Sequence, residues 1–157
     1  MGYNTQDTVW PDHPVPDGVK ALMDRFFNLL DSHDSNVGNI LADEIFTSDA
    51  KAQFGAHIST GRDGTSPEVE IRKSRDNAWT LFNARKHTVL RAYSSNDAAD
   101  DLLFIAWVAM DLKNGEHVDG EFIGRLRFEN TDTPNPKIKS YAIWADSSPL
   151  VKALQKK

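Results

Sequence analysis

The sequence predicts an α+β fold: three N-terminal helices packed on a curved antiparallel sheet in a cone-shaped roll. Three observations predict it. Helical periodicity comes first along the chain, four strand-like runs then fill His87 to Asp146, and Asn114-Gly115 links two of those runs as a hairpin. Several of the strands are apolar on both faces, so the sheet needs two covers. The chain's own helices supply one. A second copy of the protein is the expected other, making a homodimer through the sheet. A curled sheet under helices encloses a pocket, where small-molecule chemistry is usually housed.

Residues Met1 to Asp17 read as an extended arm, because Pro11, Pro14 and Pro16 oppose both helix and sheet ladders. Trp10 is expected to tuck into a groove of its own subunit or a neighbour. Residues 18–157 form the single cone-fold domain. The first helix covers Val19 to Asp31, with Val19, Leu22, Met23, Phe26, Phe27 and Leu30 at helical spacing and Asp17 as its cap. Asp34-Ser35-Asn36 is a turn or a new cap. A short second helix turns Ile40, Leu41, Ile45 and Phe46 inward, and Ala52 to Ser59 reads as a short strand. Thr60 to Pro67 is a glycine-containing loop, and Pro67 suits the first turn of a third helix that runs to about Arg85.

The strands follow at His87–Ser94, Leu102–Lys113, Val118–Glu129 and Ile138–Asp146. Alternation separates their faces. Val118, Phe122, Leu126 and Phe128 oppose Asp119, Glu121, Arg125 and Arg127, the second set suited to cross-strand ion pairs on a dimer surface. In the preceding strand Phe104, Ala106, Val108 and Met110 oppose Leu103, Ile105, Trp107, Ala109 and Asp111, and both sets call for burial. Pro149 to Gln155 is a short terminal helix.

The composition suits one globular domain: 157 residues, 39% hydrophobic, 10% aromatic. With no cysteine, disulfides and thiolate metal sites are excluded. A net charge of −5 and the lack of a basic run argue against nucleic acid. No apolar stretch nears the ~20 residues that span a bilayer, and the N-terminus lacks signal-peptide character. A soluble, cytoplasmic protein is expected. No two histidines sit at helical ligand spacing, and Gly61-Arg62-Asp63-Gly64 lacks the lysine of a phosphate-cradling loop, so neither metal nor cofactor is expected.

An ordered set of short stretches resembles the nuclear-transport-factor-2-like superfamily, in its scytalone dehydratase-like and polyketide cyclase-like branch. The set is Leu30-Asp31-Ser32-His33-Asp34 ending the first helix, Ile45-Phe46 ending the second, and Gly61 before a helix carrying Glu70-Ile71. Arg85-Lys86-His87 opening the sheet and Tyr141-Ala142-Ile143-Trp144-Ala145-Asp146 ending it complete the set. The resemblance implies a ligand held in a cone between helices and sheet, and dimers or trimers through the sheet. Compared with scytalone dehydratase, Asp34 corresponds to the aspartate of a tyrosine–aspartate pair, and His33 replaces the tyrosine. His87 corresponds to the histidine that opens that enzyme's sheet. A second pocket tyrosine falls near Phe54 and a second catalytic histidine near Asp111 or Leu112, and both are missing. Ile143 stands where related epoxide hydrolases place an aspartate. The resemblance therefore implies the scaffold with altered chemistry.

The candidate catalytic residues are His87, Asp34, Asp111 and His57. A neutral imidazole at the mouth of an apolar cone can move a proton near neutral pH. Asp34 can orient it or act as a base whose pKa desolvation raises. The plain structural alternatives are a strand-start histidine and a helix-capping aspartate. Asp111 is a pocket carboxylate if its face with Trp107 lines the cone, and otherwise a polar residue before a turn. His57 beside Phe54 reaches the pocket or the surface. Phe54, Phe82, Trp107, Phe122, Tyr141 and Trp144 are candidates for an apolar binding wall, or are plain core. The function expected is a cofactor-independent isomerase, cyclase or dehydratase acting on a hydrophobic small-molecule intermediate; the alternative is a non-catalytic binding or assembly module.

Overall fold

A computed structural model describes residues 2–54, 57–59 and 66–156, with backbone alone for 57–59. Helix α1 spans Asp17–Leu30 and buries Val19, Leu22, Met23, Phe26, Phe27 and Leu30, the stripe its periodicity predicts. Asp17 lies inside the first turn rather than capping it; Pro16 holds the cap position. Helix α2, Val37–Ile40, continues into a π-turn, Leu41–Ile45, which closes with the Phe46 amide donating to the Leu41 carbonyl. Phe46 is therefore no longer helical but opens β1, Phe46–Phe54, followed by the short β2, His57–Ser59. The strand expected at Ala52 is thus six residues longer at its start.

Helix α3 is also corrected. It spans only Pro67–Lys73, with Ser66 accepting from the Val69 amide at its start. The Ser74 hydroxyl donates back to the Ile71 carbonyl at 2.6 Å, and a chain of turns follows. The helical spacing of Ala78, Leu81 and Phe82 continues past this point but covers no common core: Leu81 is 48% exposed and Phe82 already belongs to a strand. That strand is β3, Phe82–Ser94, followed by β4 (Asp101–Leu112), β5 (His117–Glu129), β6 (Lys137–Trp144) and α4 (Ser148–Leu154).

The strands form one sheet ordered β2-β1-β6-β5-β4-β3. The β3–β6 meander is antiparallel, as expected, but β1 joins parallel to β6, so the sheet is mixed. Register shifts place extra residues in β1, β3 and β6, and such bulges bend a sheet. In β3 the bulge at residues 89–91 changes which parity faces inward, from His87 and Val89 to Ala92. Gly115 takes φ +89° in the Asn114-Gly115 turn, a left-handed conformation that glycine adopts without strain. The inner face packs on α1 through Phe104, Phe122, Leu126, Ile138 and Tyr141.

The N-terminal arm lies on its own chain. Asp24 Oδ1 accepts from the amides of Asn4 and Thr5 and from the Thr5 hydroxyl, at 2.8–3.0 Å. Val9 bridges to Arg91 of β3, and Trp10 packs against the core with the Lys20 ammonium 5.3 Å from its ring centre. The outer face keeps an apolar band: Tyr93, Leu103, Trp107, Ile123 and Trp144 are each more than a third exposed. No helix among the described residues is long and apolar enough to cross a membrane.

Candidate active site

The helical phase of α1 carries one step past its last turn. Met23, Phe27 and Asp31 are spaced four apart, so Asp31 inherits the buried face as the C-cap residue. Its side chain is 6% exposed and is engaged by three donors. Asn4 Nδ2 and the His87 amide donate to Oδ2 at 2.8 Å each, and the His87 ring nitrogen Nδ1 lies 2.5 Å from Oδ1. Asn4 Nδ2 also donates to the His87 carbonyl at 2.8 Å. Arm, helix end and the middle of β3 are thereby tied to one carboxylate. A charged Asp31 accepts the Nδ1 proton, which leaves Nε2 as the basic atom of the neutral ring.

The His87 ring sits against Phe27 and Phe122, with centroids 5.3 and 5.8 Å away. Burial pushes its pKa below the ordinary 6.5, the Asp31 hydrogen bond and charge oppose this, and the charges of Arg85 and Arg75 add to the lowering. The imidazole is therefore neutral at pH 7. The sign of the linkage follows: between pH 6.5 and the lower folded value the unfolded chain takes up a proton that the folded chain refuses. This site's contribution is complete above pH 6.5 and declines as pH falls below it. Thermal melts from pH 8 to 5 should therefore show a fall in Tm below pH 6.5 that is shallower in His87→Gln; an unchanged slope in the variant contradicts the assignment.

His87 lines a cavity of about 680 Å³ between the inner sheet face and the turns after α3, with Pro149 and Leu150 of α4 also on its wall. Phe54, Phe82, Phe122 and Tyr141 line it too, as does Ile143. Burial raises the Tyr141 pKa, so its hydroxyl keeps its proton and can donate a hydrogen bond. Two arginines add cations to the polar lining, Arg75 from the turn after α3 and Arg85 from β3.

Other candidates lie elsewhere. Asp34 is exposed in the turn before α2, where Oδ1 accepts from the Asn36 amide at 2.8 Å; Asp31, three residues earlier, takes the position beside His87. His33 stacks on Trp79 at 3.7 Å, outside the cavity lining. Asp111 and Trp107 share the outer sheet face. Asp111 is paired with His117, 2.6 Å away, and Trp107 is 38% exposed. Trp144 is 57% exposed on the same side, cross-strand from Ile123. The placements of Asp111, Trp107 and Trp144 have one cause: the inner parity belongs to Ala106, Val108 and Met110 in β4, and to Tyr141 and Ile143 in β6. His57 of β2 pairs with Phe54 of β1, and its side chain lies outside the described residues.

Asp31, Asn4, Arg75 and Arg85 are the polar groups that sequence reasoning missed. For Asp31 the signal was present in the spacing from Met23 and Phe27. Arg85 shares strand parity with His87 and would have been placed inward had β3 been started at Phe82. Among the described residues no group of three or more His, Cys, Asp or Glu side chains gathers around a common metal position.

Comparison with known proteins identifies the fold. No family model matches the sequence, and no curated protein does. Solved structures match over most of the chain. An NTF2-like protein of unknown function from Exiguobacterium sp. 255-15 superposes with TM-score 0.58 at 16% identity, covering 81% of this chain and 99% of its own. A hexachlorocyclohexane dehydrochlorinase (LinA type 2) gives 0.61 at 14% identity, over 81% and 82% of the two chains. A Bacillus cereus protein provisionally assigned as a polyketide cyclase gives 0.66 at 11% identity, over 98% and 93%. The architecture is the NTF2-like cone fold.

Proposed function

We propose that the cavity is the active site of a cofactor-independent enzyme that moves a proton on a hydrophobic small molecule, in an isomerisation, cyclisation or elimination such as dehydration. The observation that carries this is a neutral, buried imidazole held by a buried carboxylate on the wall of a mostly apolar cavity. A dehydrochlorinase and a provisionally assigned polyketide cyclase among the similar folds support the reading.

In this mechanism His87 Nε2 takes a proton from a substrate carbon. Asp31 fixes the ring's orientation and stabilises the imidazolium that forms, so it is a positioning residue. The Tyr141 hydroxyl donates to the oxygen or leaving group on which charge develops. The aromatic wall excludes water and holds one substrate conformation. The proton then returns to another carbon, or to the departing group.

The test is deuterium exchange. A panel of apolar ketones and β-hydroxyketones is incubated with enzyme in D2O and read by mass spectrometry. The wild type should accelerate exchange or elimination, and His87→Gln should lose roughly 10²-fold or more of that rate. Undiminished turnover in folded His87→Gln removes the histidine from the mechanism.

The same reading includes a homodimer through the outer sheet face. The cross-strand neighbours Ile105, Ile123 and Trp144 give that face an apolar band that water alone leaves unfavourably exposed. Ile123→Arg should convert the dimer to a monomer in light scattering, with the fold retained. A wild type that is monomeric at micromolar concentration rules the dimer out.

A further inference from the structure

Arg75 and Arg85 are the cavity's least explained feature. Both line it, and their Nη2 atoms donate to the same oxygen, the Leu30 carbonyl, at 2.8 and 2.7 Å. A shared acceptor brings the two cations side by side. Each also has a buried Nε with no hydrogen-bond partner. Among the described residues no ion pair contains either guanidinium; Asp31, the carboxylate whose charge reaches both, is already occupied by Asn4 and His87. The Arg85 guanidinium is further held over the Trp79 ring at 4.7 Å. Burial and the neighbouring Arg85 charge bring Arg75 down to about 10, which still leaves it charged at neutral pH. Asp119, Glu121 and Asp146 also border the cavity, but all three are exposed and none bonds to these arginines.

Two half-buried cations against one nearby carboxylate leave excess positive charge beside an apolar wall. Burial of like charges is costly unless a counter-ion joins them. A guanidinium presents paired donors that match a carboxylate, and two of them form a directional seat. We propose that the physiological ligand of this cavity is an organic anion, an apolar body bearing a carboxylate that Arg75 and Arg85 bind while the apolar body lies against Phe54, Phe82 and Phe122. This rests on the reading of the cavity as a substrate site, and it adds the ligand's charge. It also gives the two arginines a role apart from proton transfer: they anchor the acid group and so set which carbon meets His87.

The probes are 2-naphthoate and its neutral counterpart 2-naphthamide, titrated calorimetrically at pH 7.5 into the full chain. The carboxylate should bind about tenfold or more tightly than the amide. Arg75→Gln and Arg85→Gln should each remove most of that preference, whereas His87→Gln should retain it. Equal affinity for the two probes, binding of neither up to millimolar concentration, or a preference that survives in both folded arginine variants overturns the proposal. If an arginine variant fails to fold, nuclear Overhauser contacts from naphthoate to the arginine δ-protons of the wild type replace it, and their absence is equally fatal. A carboxylate preference without any proton exchange refutes only the catalytic reading. Exchange of neutral ketones with no such preference refutes only the anion.

Discussion

Asp31→Ala should lose roughly 3–5 kcal/mol of stability and nearly all catalytic activity. The carboxylate is buried and accepts from three donors on two other parts of the chain, Asn4 on the arm and His87 on β3. Alanine takes the acceptor from one N–H of the Asn4 side-chain amide, which keeps its bond to the His87 carbonyl, and from both His87 N–H groups, and such losses cost heavily when buried. The arm loses its tie to α1's end, and His87 loses its orientation. Asp31→Asn separates the two effects. Asparagine keeps the shape and one acceptor, so much of the fold should persist, but its amide no longer favours the Nδ1–H tautomer or the imidazolium. Activity should then fall on the order of 10²-fold or more. Because the Asp31 hydrogen bond and charge hold the His87 pKa up, the acid limb of the pH–rate profile should move to still lower pH. A purely structural role for Asp31 predicts no such movement. A profile that stays put in a folded Asp31→Asn protein would refute the positioning role.

Gly124→Ala should destabilise by about 3 kcal/mol, although it adds only one methyl group. A Cβ at this position would fall 2.1 Å from Cζ of Phe104, with the next ring carbons at 2.6 and 2.8 Å. Phe104 is fully buried and cannot swing aside, because Phe27 and Phe122 stand edge-on to it at 5.4 and 6.0 Å. Displacement passes to Phe27, whose ring contacts His87, so the substitution should impair the site as well as the fold. Chemical denaturation should report the loss with an unchanged m-value. A loss under 1 kcal/mol would show that the ring has room the packing denies it.

Much of this protein could be read from local pattern. The apolar stripe from Val19 to Leu30 is a helix because those residues meet on one face of a 3.6-residue turn. Val118, Phe122 and Leu126 oppose the charged positions of β5 because side chains alternate. Asn114-Gly115 makes its turn because glycine tolerates φ +89°. These features depend on neighbours a few residues apart, and such patterns survive in the linear chain. Where both faces of β4 are apolar, alternation gives two sets and no preference. The tertiary packing of α1 made Ala106 and Val108 inner and left Trp107 outside. It also stopped α3 at Lys73 and drew Phe82 into a strand whose partner, Leu112, lies thirty positions along. The site shows the same division most sharply: His87 was legible as a candidate from its residue type and place, whereas its partner is Asp31 rather than Asp34, across a separation of 56 residues. Local rules place an aspartate at the end of a helix, but only the crossing of that helix over the sheet decides which carboxylate is carried inside, out of water and against the imidazole.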